Sequence, residues 1–151
     1  MVPTARMRAP GAPTTVLVVD DHALLRSVIV QVLADDGLDA LEASTGDVGL
    51  RMAEQQQPDV ILLDLAMPGR PGLEVLAALQ QQVTTRDIPV LVMSGFSTLL
   101  ESDQARCAQA AVPKPFELEA VVSLIRHHGA QRRAHLRDTP AWSARDGTTT
   151  P

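Results

Sequence analysis

The sequence predicts an α/β domain of the (βα)5 type: a five-stranded parallel sheet with helices on both faces. Three observations carry this. Apolar strand-like runs and helix-periodic segments alternate five times between residues 15 and 129. The apolar runs show no polar alternation, as strands buried on both faces do not. The chain has 151 residues, 45% of them apolar, enough for one sizeable core and too many for a disordered protein.

Val16-Leu17-Val18-Val19 is a β-branched run that ends in Asp20-Asp21 and reads as the first strand. From His22 the period changes. Leu25, Val28, Ile29, Val32 and Leu33 recur at helical spacing, and Gly37 can end that helix. Ala40 to Ala43 is a weaker second strand. Gly46 to Gln57 is a short helix with Val48, Met52 and Ala53 inward, stopped by Pro58. Val60 to Leu63 is the clearest strand and ends in Asp64. A turn rich in Pro and Gly, residues 67–72, leads to a helix over Leu73 to Gln82. Ile88 to Met93 is the fourth strand, ending in Ser94-Gly95. Thr98 to Gln109 is expected to be helical, with weaker amphipathicity. Ala110 to Val112 is a short fifth strand before Pro113-Lys114-Pro115, and Phe116 to His128 is the last helix.

Charge divides the chain into three. Residues 15–129 hold seven basic against sixteen acidic residues, whereas residues 1–14 and 130–151 each carry a net charge of +2. The expected organisation is therefore a flexible tail at 1–14, a folded domain at 15–129 and a flexible tail at 130–151. The net charge of −5 disfavours direct nucleic-acid binding. No apolar run approaches the ~18–20 residues that span a membrane, and the N-terminus lacks the apolar core of a secretory signal. A single cysteine, Cys107, excludes an intramolecular disulfide and fits a reducing compartment, so a cytoplasmic location is expected.

In open parallel sheets, ligands bind beyond the carboxyl ends of the strands. Those ends carry Asp20 and Asp21, then Asp64, Ser94 and Lys114. Singly, each has an ordinary reading: an Asp or Ser after a strand caps a helix or forms a turn, and a Lys is a solvated surface charge. Together they are a site. Three carboxylates meeting in one crevice repel one another and demand a cation. An oxygen-only donor set without His or Cys suits Mg2+. The Ser94 hydroxyl and the Lys114 ammonium would complete a pocket for a phosphoryl group. Lys114 is also the only lysine among thirteen basic residues, at a place where a compact ammonium on a flexible stem is useful.

The segments Val-Leu-Val-Val-Asp20-Asp21-His22, Ile-Leu-Leu-Asp64-Leu-Ala-Met-Pro-Gly, Val-Met-Ser94-Gly95 and Lys114-Pro115-Phe116 resemble the receiver domain of two-component response regulators. The resemblance covers residues 15–129, and its 43-residue step from Asp21 to Asp64 and 30-residue step to Ser94 agree with that family. The Asp20-Asp21-His22 opening and Arg26 resemble receivers fused to helix-turn-helix domains. The resemblance implies a flavodoxin-like, chemotaxis-regulator-like fold and a phosphorylation-controlled switch rather than an enzyme acting on external substrate. It implies that Asp64 takes a phosphoryl group from a histidine kinase or phosphotransfer protein. Asp20, Asp21, Asp64 and the backbone carbonyl of Ala66 would hold Mg2+, and Ser94 and Lys114 would contact the phosphoryl oxygens. It also implies a cis peptide before Pro115 and an output surface on the fourth helix, fifth strand and fifth helix, roughly residues 97–128.

The departures from the family lie at four positions and in one spacing. Cys107 stands for the usual Gly, Ala111 for the switch aromatic, and Ala66 and Phe96 for polar residues that help water remove the phosphoryl group. Ser94 to Lys114 spans 20 residues, about two fewer than in the family, so the fourth helix is expected to be short or displaced. Only 22 residues follow Gly129, too few for a helix-turn-helix, so output is expected through a downstream protein partner, a homodimer or phosphate relay. The alternative is an aspartate-nucleophile phosphatase or phosphotransferase on a similar α/β fold. Ala66, where haloacid-dehalogenase-type hydrolases place a second acid, counts against it. A flavodoxin-like nucleotide binder would need a Gly- or Ser-rich phosphate loop where Asp20-Asp21 stand. His127, His128 and His135 read as exposed helix and tail, Cys107 as a packing residue, and Trp142 as isolated in a polar tail.

Overall fold

The computed structural model describes residues 11–138. Expectations for residues 1–10 and 139–151, Trp142 included, fall outside the described residues. The elements are β1 (Thr15–Val19), α1 (Ala23–Asp35), β2 (Asp39–Ala43), α2 (Gly46–Gln56), β3 (Val60–Asp64), α3 (Gly72–Gln81), β4 (Val90–Ser94), α4 (Ser97–Leu100), β5 (Ala110–Pro113) and α5 (Leu118–Asp138). All strand pairs are parallel, in the order β2-β1-β3-β4-β5. The order reverses direction between β1 and β3, which opens a crevice at their carboxyl ends.

Strand period 2 splits the apolar runs between two cores. Leu17, Val19, Ile61, Leu63, Val90 and Val92 face one side, against Ala53 of α2 and Val75, Leu76 and Leu79 of α3. Val16, Val18, Val60, Leu62, Leu91 and Met93 face the other, against Ile29 and Leu33 of α1 and Val121 and Ile125 of α5. Each central strand is thus apolar at every position because each face has its own helical layer.

Boundaries follow local chemistry. His22 caps α1, its Nδ1 accepting from the Leu25 N–H at 3.1 Å. Gly37, at φ +80°, supplies the left-handed turn after that helix. Thr45 caps α2 through its hydroxyl, and α2 ends at a left-handed Gln57 just before Pro58.

Two expectations need correction. Residues 98–109 do not form one helix. α4 is a four-residue turn of helix, followed by a 3-10 turn over Gln104–Cys107. Ser102 separates them, its hydroxyl donating to the Leu99 carbonyl and accepting from the Ala105 N–H. Leu99 and Leu100 pack only partly against the core, so no apolar stripe holds a longer helix down. The shortening inferred from the 20-residue spacing is what forms. The second correction concerns α5, which passes Gly129 and runs to Asp138. Gly129 lets it lie against Thr14 and Val60, where a Cβ would sit 2.8 Å from the Thr14 methyl. Beyond it Arg132 is buried beside Gln57, and Arg133 donates to the Ala12 carbonyl at 2.5 Å. These polar ties replace the apolar periodicity that marks the earlier turns.

Gly72 opens α3 directly beneath the end of β3. A Cβ there would stand 2.4 Å from the Leu65 Cα and 2.5 Å from the Asp64 carbonyl oxygen. Both obstacles are backbone and cannot swing aside. Gly72→Ala is therefore expected to destabilise the fold by about 1–3 kcal/mol, the usual cost of overpacking, read as a lower urea midpoint at unchanged slope.

Candidate functional site

The crevice at the strand ends has a volume of about 550 Å3 and is lined by Asp21, His22, Leu25, Asp64, Ala66, Gly95, Phe96 and Lys114. Asp20 lies beneath it, its side chain fully buried, and Asp64 is almost so at 5% exposure. Carboxylates at such depth must be paired or hydrogen-bonded, and both are. The Lys114 ammonium stands 3.4 Å from Asp20 Oδ2 and 3.3 Å from Asp64 Oδ2. The other oxygen of each accepts from the backbone two residues on: Asp20 Oδ1 from the His22 N–H and Asp64 Oδ1 from the Ala66 N–H, both at 2.9 Å. Each carboxylate is thus fixed from two sides.

Asp20, Asp21 and Asp64 each offer an oxygen within 4.8 Å of the others. Among the described residues this is the only group of three His, Cys, Asp or Glu side chains so arranged. Three carboxylates against one ammonium leave an excess of negative charge in an all-oxygen donor set. That chemistry fits a hard divalent cation.

Ser94 is buried at the end of β4, and its Oγ accepts from the Phe96 N–H at 2.9 Å. That contact leaves the hydroxyl hydrogen to be donated elsewhere. Lys114 follows β5, and its N–H donates to the Ser94 carbonyl, joining the two loops. The Lys114–Pro115 peptide is cis. Ala66 and Phe96 both reach the crevice, but Phe96 is 61% exposed and stands at its mouth. Ala111 does not reach it; it is an exposed residue of β5. The rings of His127 and His128 meet edge to face on α5, and burial, followed by the charge of His127, lowers the His128 pKa.

One arrangement was invisible to sequence reasoning. Arg26 of α1 donates to the Asp20 carbonyl at 2.6 Å and to Glu42 of β2 at 3.1 Å. Arg26 stood out only as part of a resemblance, and Glu42 not at all. A second charged residue near the end of the short strand Asp39–Ala43 was the available signal.

The sequence model of the response regulator receiver domain matches residues 16–126. The chain belongs to the response regulator receiver family. The receiver is 35% identical over 120 residues to the nitrate/nitrite response regulator protein NarL of Escherichia coli, covering 78% of this chain and 56% of that one. It is 34% identical to the probable transcriptional regulatory protein TcrX of Mycobacterium tuberculosis, covering 79% and 51%. The chain spans about half the length of the curated relatives it matches. A CheY-like receiver domain protein from Methanospirillum hungatei shares the fold, with a TM-score of 0.75 at 21% identity over 82% of this chain and 98% of that one. TrrA of Thermotoga maritima, solved in complex with Mg2+-BeF, gives 0.71 at 23% over 76% and 98%. The flavodoxin-like (βα)5 fold of this receiver is that of the chemotaxis regulators, and its family is one of regulatory phosphoacceptors in two-component signalling. No helix among the described residues is long and apolar enough to cross a membrane.

Proposed function

We propose that the protein is a signalling switch set by phosphorylation of Asp64, with a histidine kinase or phosphotransfer protein as donor. The observation that carries this is Asp64 itself, held at the end of β3 by the Ala66 N–H and Lys114 beside two further carboxylates. An Asp64 oxygen attacks the phosphorus of a phosphohistidine. The P–O bond forms as the P–N bond breaks, the electron pair leaves with the imidazole, and an acyl phosphate results. Lys114 exchanges a carboxylate contact for a phosphoryl oxygen, and the Ser94 hydroxyl donates to another. The side chains of Asp20, Asp21 and Asp64, with the Ala66 carbonyl, would hold Mg2+. When bound, the ion neutralises charge on the phosphoryl oxygens. All other contributions are positioning by the chain's own groups.

The signal then leaves by the face of α4, β5 and α5, towards a downstream protein partner. Ser94 and Lys114 border this face, and they are the residues whose contacts must change. Ala111 cannot act as a swinging ring. The aromatic that lines the crevice is Phe96, whose N–H already engages Ser94. Phosphorylation need only bias two arrangements by a few kcal/mol.

Purified protein incubated with acetyl phosphate and MgCl2 is expected to gain the mass of one phosphoryl group. Excess chelator is expected to prevent it, because the incoming dianion meets three carboxylates. Labelling that proceeds undiminished in chelator would contradict the role given to the acidic cluster.

A further inference from the structure

We infer that Arg26, braced on Glu42, is a positioning residue for the metal-binding carboxylates. This rests on the reading of Asp20, Asp21 and Asp64 as a Mg2+ site. The evidence is how the two peptide groups of Asp20 are held. Its N–H donates to the Ala43 carbonyl of β2 at 3.1 Å, the last rung of the β1–β2 ladder. Its carbonyl lies past that ladder, where the chain turns from strand into helix. Arg26 Nη1 donates to that carbonyl at 2.6 Å, while Arg26 Nε donates to Glu42 Oε1 at 3.1 Å. Glu42 precedes Ala43, so neighbouring residues of β2 fix both sides of Asp20, one directly and one through the guanidinium.

The clamp determines the geometry of the donor set. Asp20 is buried and held through its carboxylate by the His22 N–H and Lys114. Asp21 is exposed, and among the described residues its side chain has no hydrogen-bond or ion-pair partner. Its direction therefore follows the peptide between Asp20 and Asp21, whose oxygen is the one Arg26 holds. The planar fork of an arginine can reach a carbonyl and a carboxylate at once, and the point charge of a lysine cannot do so in the same geometry. The Arg26 side chain is only 16% exposed, so water competes poorly for its contact with the Asp20 carbonyl, whereas Glu42 is 49% exposed and its brace is open to water.

Arg26→Lys keeps the charge near the carboxylates and removes the fork, so a change in metal affinity reports positioning and not electrostatics. The test follows the amide resonances of Asp21 and Asp64 in the full chain as MgCl2 alone is added. Arg126→Lys, a like change in the pair between Arg126 of α5 and Asp36, the residue after α1, serves as control. Mg2+ dissociation constants are expected to rise roughly ten-fold in Arg26→Lys, the lower end of what loss of an outer support costs a metal site. Arg126→Lys should match the parent. Glu42→Gln, which leaves the fork in place with a weaker brace, should fall between. Thermal unfolding in chelator identifies any variant that must be titrated at lower temperature. An Arg26→Lys affinity within two-fold of the parent overturns the inference, as does an equal loss in Arg126→Lys. Absence of saturable Mg2+ binding in the parent overturns the metal reading itself.

Discussion

Asp64→Asn is expected to abolish phosphoryl incorporation while leaving the fold in place. The amide oxygen can keep the 2.9 Å contact from the Ala66 N–H, so the loop after β3 retains its anchor. The other carboxylate oxygen, which faces Lys114 at 3.3 Å, becomes an amide nitrogen. Two donors then face each other, but Lys114 keeps its contact with Asp20. The net effect on stability is expected to be about 1 kcal/mol or less. The chemistry is lost outright, because an amide cannot form the acyl phosphate. Intact mass after incubation with acetyl phosphate and MgCl2 should show the parent labelled once and Asp64→Asn at background, with similar melting temperatures. Undiminished labelling of the variant would move the acceptor elsewhere and remove the basis of the proposed function.

The legibility of the site came from its simplest elements. Buried parallel strands must be apolar at every position, so a polar residue at the end of such a run is conspicuous. Asp20, Asp64 and Ser94 were readable for that reason; the structure brings Asp20, Asp64, Asp21 and Lys114 together at one crevice, and Ser94 is tied to its wall through the N–H groups of Phe96 and Lys114. The helices were readable where two cores demanded an apolar stripe, as in α1 and α3. Reading failed where other forces set the structure. The segment from Ser97 to Cys107 has too little apolar surface to hold a helix, and a single hydroxyl, that of Ser102, decides where one turn ends and the next begins. α5 outruns its apolar periodicity because Gly129 permits close approach and Arg132 and Arg133 find polar partners. The Arg26–Glu42 clamp joins residues 16 apart through a main-chain oxygen. Residue type carries almost no trace of a contact to a carbonyl.

The phosphorylated protein is expected to be long-lived, and the reason lies in two side chains at the crevice. Hydrolysis needs a water held in line with the bond to Asp64, and a water is held by hydrogen bonds. The positions two residues beyond Asp64 and Ser94 are Ala66 and Phe96, and both line the crevice. Neither side chain can donate or accept. The backbone N–H groups of both residues are already committed, to Asp64 and Ser94 respectively. Each missing polar contact raises the barrier by ~1–2 kcal/mol, or roughly ten-fold in rate. Exclusion of water is the weaker effect, because Phe96 is 61% exposed and leaves the mouth open. The two effects separate by mutation. Ala66→Asn and Phe96→Glu should each shorten the lifetime roughly ten-fold by supplying a group that orients water; because both would act on the same water, the double variant is expected to depart from the product of the two effects. Phe96→Ala removes the ring and adds no polar group, so it should change the lifetime by less than about three-fold, a fraction of one polar contact. The measurement is the decay of purified phosphoprotein in MgCl2 with the donor removed. A parent that decays as fast as both polar variants would refute the argument. Acceleration by Phe96→Ala equal to that by Phe96→Glu would instead assign the slow decay to shielding by the ring.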